Sequence, residues 1–533
     1  MNKRILLTGC VLAGAFILFF ASIPWGLGLS PDSTAYIGAA RQLAKGRGFI
    51  STFNGNHPIS QWPPLYSILL AMLGRFFGDP VPTARFLNIS LFAVNGILIA
   101  LYLKTLKQSW KTVFTGLGFY SMSRPMLEVH SWAHSEPVLI FTGFSGLFFL
   151  FLYLEQRTLR FYFLAIICFG AACLDRYAGV TFPIAGTLCI LLFDSKRLGK
   201  RIVSGAMFGI LSFLPLGLWL LRNHFVANDL TNRVFGLRLL RTQPFEMMFE
   251  TMGGWFFPAP FLPQFKMLAG VIFFFVLICI FIYVFQKNPL KSAGGGAYVS
   301  GYPGTLLKVT CIFAASYILF FIVYMIFLSI SAGVNDRLFS PLFFAVLLIL
   351  IITFSRIAGS GGRLSPKQRH GAVFLITLLM LSYGIRTVNW HRVLWQNGLG
   401  FSGRSWRNSE TIANLQAYPA DQMIFTNAPD AIYILTGRNT LSLPVREKRD
   451  FISVAQRGGP GNVRADYGEK IAAVRESMQS GKGILVLFDL KSKKMARWYQ
   501  PREPQLVNDL SLSPIKRFKD GAIFEIARAS KKL

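Results

Sequence analysis

Long apolar runs fill the chain from residue 5 to residue 389, and short polar stretches separate them. About 20 apolar residues cross a bilayer core, so the runs predict transmembrane helices at 5–29, 86–103, 112–125, 137–154, 160–175, 177–193, 202–221, 266–285, 306–330, 339–355 and 372–389. From residue 390 the pattern changes. Met423-Ile424-Phe425, Ala431 to Leu435, Gly483 to Phe488 and Ala522 to Ile526 read as strands. Residues 464–479 repeat with a helical period that puts Ile471, Ala472, Val474 and Met478 on one face. The pattern predicts a polytopic α-helical membrane protein of about 11 transmembrane helices over 1–389, followed by a soluble α/β domain over 390–533. The N-terminal Met1-Asn2-Lys3-Arg4 and the apolar run behind it resemble a signal peptide. That run continues through Leu29, long enough to span, and is read as an uncleaved first helix.

Composition agrees with this reading. Hydrophobic residues make up 53% and charged residues 15%, against about 25% charged in soluble domains. The net charge of +31 would in a soluble chain point to nucleic acid. Here Lys and Arg gather in alternate short loops: Lys104, Lys107 and Lys111; Arg157 and Arg160; Lys196, Arg197, Lys200 and Arg201; Lys287 and Lys291; Arg356, Arg363, Lys367 and Arg369. Cytoplasmic loops carry such an excess, so the N-terminus is placed in the cytoplasm, the C-terminal domain outside it, and no nucleic acid partner is expected. The opposite side holds two long loops, 30–85 and 222–265, and the acids Asp32, Asp79, Glu128, Glu136, Asp229, Glu246, Glu250 and Asp336. Function concentrates in such loops. The six cysteines all lie in apolar runs with no CxxC, which leaves disulfide frameworks and zinc sites unsupported. The Gly-rich stretch 292–304 reads as a cytoplasmic linker and lacks the GK[ST] ending of a phosphate loop.

The first long loop carries the leading chemistry. Pro31 is expected to end the first span, and Asp32, Ser33 and Thr34 are all good capping residues for the helix that follows. Gly46 and Gly48 break that helix; His57 and Gln61-Trp62-Pro63-Pro64-Leu65-Tyr66 come next, turning into a second amphipathic helix expected to lie on the membrane. Arg176, Arg222 and Arg337 each sit at the end of an apolar span on the same predicted side. Arg at head-group level either snorkels as an anchor or grips a phosphate with its two-pronged fork. Glu136 opens a span and is costly there unless it faces a polar cavity. His130 and His134 lie beside it without the spacing of a strong zinc motif. In the second long loop, Arg233, Arg238 and Arg241 among Phe235, Leu237, Leu239, Leu240 and Phe245 read as an interfacial helix, and Trp255-Phe256-Phe257-Pro258 as part of an aromatic belt.

The helix SPDSTAYIGAARQLAKGRGF and the segment QWPPLYSILLAML resemble the polytopic GT-C glycosyltransferases, closest to the bacterial protein O-mannosyltransferases and lipid A aminoarabinose transferases. Ser135-Glu136-Pro137, Asp175-Arg176-Tyr177-Ala178-Gly179, Leu221-Arg222-Asn223, Asp336 to Pro341, and the tail segment Asn427 to Tyr433 followed by Leu435-Thr436-Gly437-Arg438 extend the likeness in order. The resemblance implies a bacterial inner-membrane enzyme that takes a sugar from a polyprenyl-phosphate donor and passes it to a lipid, glycan or protein acceptor on the extracytoplasmic side. It implies Asp32 as general base with Glu136 as a second catalytic carboxylate, donor-phosphate contacts from Arg176, Arg222 and Arg337, and a substrate cavity lined by Tyr36, His57, Trp62 and Tyr177. Inversion at the sugar carbon is expected. Where the mannosyltransferases carry an Asp-Glu pair, Ser33 follows Asp32, which favours a mechanism without a required divalent metal or other cofactor.

A transporter or flippase would show midspan ionisable residues and paired broken helices; here the charges sit at span ends and no inverted repeat is visible. A non-catalytic scaffold would leave the Asp32 helix without a role. The loop charges make a direct prediction: a reporter fused after residue 400 is active only outside the cytoplasm, and activity inside reverses the topology.

Overall fold

A computed structural model of the chain describes residues 3–52, 57–233, 242–257, 262–286, 302–327, 334–359, 365–443, 463–488 and 512–526. Helix α1 (Lys3–Ala21) ends short of the expected Leu29. Pro24 explains the early stop, because the residue before a proline is pushed out of the helical region. Residues 22–29 instead turn and run as a strap: Gly28 bridges Trp132, and Leu29 bridges Gly400. Pro31 begins a helix rather than ending one. It is the first residue of α2 (Pro31–Ala44), where its missing N–H costs nothing. The cap is Ser30, whose Oγ accepts from the Ser33 N–H. Asp32 is therefore not the cap, and its carboxylate is left for other partners.

Helix α3 (Leu65–Phe77) buries Tyr66, Ser67 and Leu70 and exposes Ile68, Met72 and Phe76, an apolar outward face at four-residue spacing. The bundle follows: α4 (Pro80–Thr105), α5 (Trp110–Met122), α6 (Arg124–His130), α7 (Glu136–Gln156), α8 (Leu159–Asp175), a 3-10 turn at Tyr177–Val180, α9 (Thr181–Phe193), α10 (Leu198–Ala227), α11 (Thr242–Gly254), α12 (Pro263–Gln286), α13 (Tyr302–Phe327), α14 (Asp336–Gly359) and α15 (Pro366–Asn397). Each of the eleven predicted spans falls on one of these helices. Among the described residues eight are long and apolar enough to cross a bilayer; the other three are α5, α8 and α9, of 13, 17 and 13 residues. Helix α5 hands over to α6 at Ser123, where Pro125 opens the next helix. Residues 234–241 of the predicted interfacial stretch and residues 292–301 of the Gly-rich linker lie outside the described residues, and Phe245 falls on α11.

Aromatic packing holds the bundle centre. Phe144 of α7 meets Phe344 of α14 with centroids 4.3 Å apart, and Phe182 of α9 stacks on Phe313 of α13 at 4.2 Å. Gly143 has no Cβ where the Phe182 ring lies, which lets α7 and α9 approach closely. At one end of the bundle Asp194, wholly buried, pairs with Arg157 at 2.6 Å and accepts from the Tyr153 hydroxyl. The other end carries α2, α3 and the first turns of α7 and α14.

Beyond α15 come α16 (Arg404–Arg407), α17 (Glu410–Leu415), β1 (Met423–Thr426), α18 (Pro429–Thr436), β2 (Thr440–Ser442), α19 (Val463–Gln479), β3 (Gly483–Phe488), β4 (Leu512–Arg517) and β5 (Gly521–Ile526). The strands form one sheet in the order β2-β1-β3-β5-β4, parallel across β2-β1-β3 and antiparallel across β3-β5-β4. Ala431 to Leu435 was expected as a strand and is helix α18. Pro429 starts it and Gly437, at φ 72°, ends it; those two signals outweigh the β-propensity of Ile432, Tyr433 and Ile434. In α19, Ile471, Val474 and Met478 are buried as expected, whereas Ala472 is exposed.

Helix α18 packs on α2, so Ile432 and Ile434 share a core with Tyr36, Ile37 and Ala40. Gly38 lies at this contact. A Cβ there would sit 2.8 Å from Thr52 Oγ1 and 3.5 Å from the Tyr433 ring. Overpacking of this kind costs about 1–3 kcal/mol. Gly38→Leu is expected to lower the thermal midpoint and to speed proteolysis of the tail, and an unchanged proteolysis rate would show that the contact does not hold the two parts together.

Candidate active site

Four charged side chains from four parts of the chain meet where α2, α7 and α14 begin and α8 ends. Asp32 is on the first turn of α2, Glu136 opens α7, Arg176 follows α8, and Arg337 is the second residue of α14. Arg337 stands between the carboxylates. Its Nη2 is 2.6 Å from Asp32 Oδ2, and its Nε donates to Glu136 Oε1 at 2.5 Å. Arg176 Nη1 lies 2.8 Å from the same Glu136 oxygen. Glu136 Oε2 is buried with no hydrogen-bond partner among the described residues.

The two carboxylates differ in exposure. Glu136 shows 2% of its side chain to solvent, and Asp32 shows 30%. Burial is the largest single influence on the pKa of Asp32 and raises it. The Arg337 and Arg176 guanidiniums outweigh it and hold the carboxyl below its ordinary 3.8. Tyr36, one turn along α2, is fully buried, and burial pushes its hydroxyl well above the usual tyrosine range. It accepts a hydrogen bond from Ser135 at 3.4 Å, and Ser135 in turn accepts from Arg176 at 3.5 Å.

Of the expected site residues, Asp32, Glu136, Arg176, Arg337 and Tyr36 come together. Trp62 meets Tyr36 edge-on at 6.3 Å and so forms a wall next to the cluster. Tyr177 donates to the Ser60 carbonyl at 2.6 Å, and the guanidinium of Arg233 lies over its ring. His57 sits on the loop closed by the Ile50–Pro58 bridge, where its carbonyl accepts from the Ser51 N–H. Arg222 has a different setting. It donates to the carbonyls of Phe49 and Ile59 and lies over Trp219, which fastens the first loop to α10.

Three residues beside the cluster were not assigned a role. His134 is buried, and its Nε2 is 2.9 Å from Ser30 Oγ. Asp336 accepts from Trp255 Nε1 at 3.1 Å, and Arg124 reaches toward both Asp336 and Glu128. The run His134-Ser135-Glu136 held a signal for the first, since a histidine two residues before a buried carboxylate shares its surroundings. Among the described residues no three His, Cys, Asp or Glu side chains converge as a metal cage.

Residues 60–219 match the family model described as dolichyl-phosphate-mannose-protein mannosyltransferase. No curated protein matches the chain. Among solved structures, the fold is similar to ArnT from Cupriavidus metallidurans bound to undecaprenyl phosphate, at 12% identity, over 97% of this chain and 98% of that one, with a TM-score of 0.55. It is also similar to the Archaeoglobus fulgidus oligosaccharyltransferase in complex with Zn and sulfate, at 13% identity, over 93% and 70%, with a TM-score of 0.53. A third likeness is to the arabinofuranosyltransferase AftD from Mycobacteria, at 13% identity, over 99% and 42%, with a TM-score of 0.53.

Removing one partner of a buried ion pair costs about 3–5 kcal/mol, because the other charge is stranded. Glu136→Leu strands two guanidiniums and is expected to lower the thermal midpoint sharply in detergent. Glu136→Gln, which keeps an acceptor for both, is expected to lose less. Equal midpoints for Leu and wild type would show that the cluster does not depend on this carboxylate.

Proposed function

From a chain with the GT-C glycosyltransferase fold, we infer a membrane enzyme that moves a sugar from a polyprenyl-phosphate donor to an acceptor hydroxyl. The observation that carries this reading is the pairing of a part-open carboxylate, Asp32, with two part-buried guanidiniums, Arg176 and Arg337, at one end of an apolar bundle. Glycosyl transfer needs both. A carboxylate takes the proton from the attacking hydroxyl, and fixed cations stabilise the phosphate as it leaves with its negative charge.

The ion pairs support an order of events. A donor phosphate competes with Asp32 for Arg337. As Arg337 turns toward the phosphate, Asp32 loses the cation that lowers its basicity and becomes a better base when the donor is in place. Arg176 stays anchored on Glu136 and supplies the second phosphate contact. The hydroxyl attacks the anomeric carbon, the bond to the phosphate oxygen breaks, the proton passes to Asp32, and the configuration inverts. Glu136 acts by holding both guanidiniums. No step in this sequence needs a divalent ion. The basic loops support an extracytoplasmic site, with the tail on the same side, since α18 packs on the helix that carries Asp32.

Asp32→Asn is expected to abolish transfer from a polyprenyl-phosphate sugar while the protein stays folded, and EDTA is expected to leave the wild-type rate unchanged. The acid limb of kcat/KM reports the free enzyme. The active form of Asp32 is ionised and its pKa is lowered, so activity falls only as pH drops through a value below 3.8. Arg337→Ala, which removes a lowering charge, moves that limb upward. Full activity of Asp32→Asn would rule out the base assignment.

A further inference from the structure

We propose that His134 is a positioning residue for Asp32, acting through the hydroxyl of Ser30. Its consequence for turnover rests on the reading of Asp32 as the base; its consequence for the state of Asp32 does not.

Three observations support it. First, His134 Nε2 and Ser30 Oγ are 2.9 Å apart and both residues are buried. The same Ser30 Oγ accepts from the Ser33 N–H at 3.3 Å and lies 3.1 Å from Ser33 Oγ. The ring thus holds the cap of the helix on whose first turn Asp32 sits. A capping hydroxyl that lost this contact would be free to rotate, and the direction of the first turn would loosen with it.

Second, His134 is itself fixed by contacts unrelated to the charges. Its ring stacks on Trp132 with centroids 5.4 Å apart and planes 6° from parallel. Asn88 Nδ2 donates to the carbonyls of Trp132 and His134 at 2.8 and 2.9 Å, and the Tyr66 hydroxyl holds Asn88 Oδ1 at 3.1 Å. Tyr66 meets Tyr36 of α2 edge-on at 5.2 Å. The strap at 28–29 closes the set: Gly28 accepts from the Ala133 N–H and Leu29 from the Phe401 N–H. The position of Asp32 is therefore referred to α3, α4 and the tail as well as to its own helix.

Third, the groups that face the ring favour its neutral form. Burial lowers the His134 pKa most, Arg337 and Arg176 lower it further, and Asp32 opposes them without winning. A neutral ring supplies one donor and one acceptor. One of its nitrogens meets Ser30, and Nδ1 has no partner among the described residues. The ring is held as a hydrogen-bonding strut and adds no third cation to Arg176 and Arg337.

The test uses the full chain in lipid nanodiscs, with His134→Gln, Ser30→Ala and Ser30→Thr. Two readouts are taken: transfer from a polyprenyl-phosphate sugar against pH, and the pH midpoint of carbodiimide labelling at Asp32, followed by mass spectrometry. His134→Gln and Ser30→Ala are expected to cut kcat by up to about 100-fold, the scale of a 1 Å misplacement, with KM for the donor nearly unchanged. Both are expected to move the acid limb and the labelling midpoint upward toward 3.8; His134→Gln also removes the lowering effect of the ring itself, whereas Ser30→Ala leaves the ring in place and isolates the loss of position relative to Arg337. Ser30→Thr, which keeps the cap hydroxyl, restores both. A labelling midpoint that stays at the wild-type value in folded His134→Gln and Ser30→Ala overturns the proposal, even where the rate falls. If His134→Gln does not fold, Ser30→Ala decides. If the wild-type protein transfers no sugar, the functional reading fails, and the labelling midpoint still decides the role of His134.

Discussion

A carboxylate with 2% of its side chain exposed is expensive to bury in an apolar bundle unless cations stand within hydrogen-bond reach. Glu136 has two, Arg176 and Arg337. Each guanidinium is largely withdrawn from solvent, at 17% and 15% side-chain exposure, so neither is at ease without the acid. This mutual requirement fixes where the end of α8 and the start of α14 sit relative to α7. The helices are sealed elsewhere by Phe-on-Phe packing, which excludes water but tolerates sliding. The ion pairs do not: charge pairs at 2.5–2.8 Å define which turn of each helix lies at the same level.

Arg337 links this internal constraint to chemistry. Its Nε is held by Glu136, and its Nη2 meets Asp32, which keeps 30% of its side chain open. A cation that is half structural and half available can respond to an incoming anion without leaving its anchor. The same geometry explains why Glu136 is better suited to holding than to proton transfer. Its engaged oxygen already faces two guanidiniums, whereas Asp32 faces the solvent side of the cluster.

Much of this was legible along the chain, for reasons that differ by element. The apolar runs gave helices because, in a bilayer, backbone polar groups must be satisfied within the segment. Asp32, Glu136, Arg176 and Arg337 stood out because charges at the ends of such runs are costly to place without purpose. What escaped notice depended on contacts between distant residues. Nothing near Arg222 states that its donors would be taken by the carbonyls of Phe49 and Ile59. Pro31 was read as a stop and proved to be a start, because Pro24 had already ended α1. The cap accordingly lies at Ser30, two residues before Asp32. Strand propensity in Ile432, Tyr433 and Ile434 was overridden by Pro429 and Gly437 and by burial against α2.

The relocated cap matters for function as well as for folding. An aspartate that caps a helix has an oxygen committed to a backbone N–H, and a base so committed is both weaker and turned inward. With Ser30 in that role, the fixed beginning of α2 and the part-open carboxylate of Asp32 are separate residues two positions apart. The helix can then be held rigidly, by Ser30 on one side and by α18 across Gly38 on the other, while the Asp32 side chain keeps its rotational freedom. The α/β tail presses on the same helix from the side opposite its cap. The tail thus packs on the helix that carries Asp32 although it contributes none of the four charges.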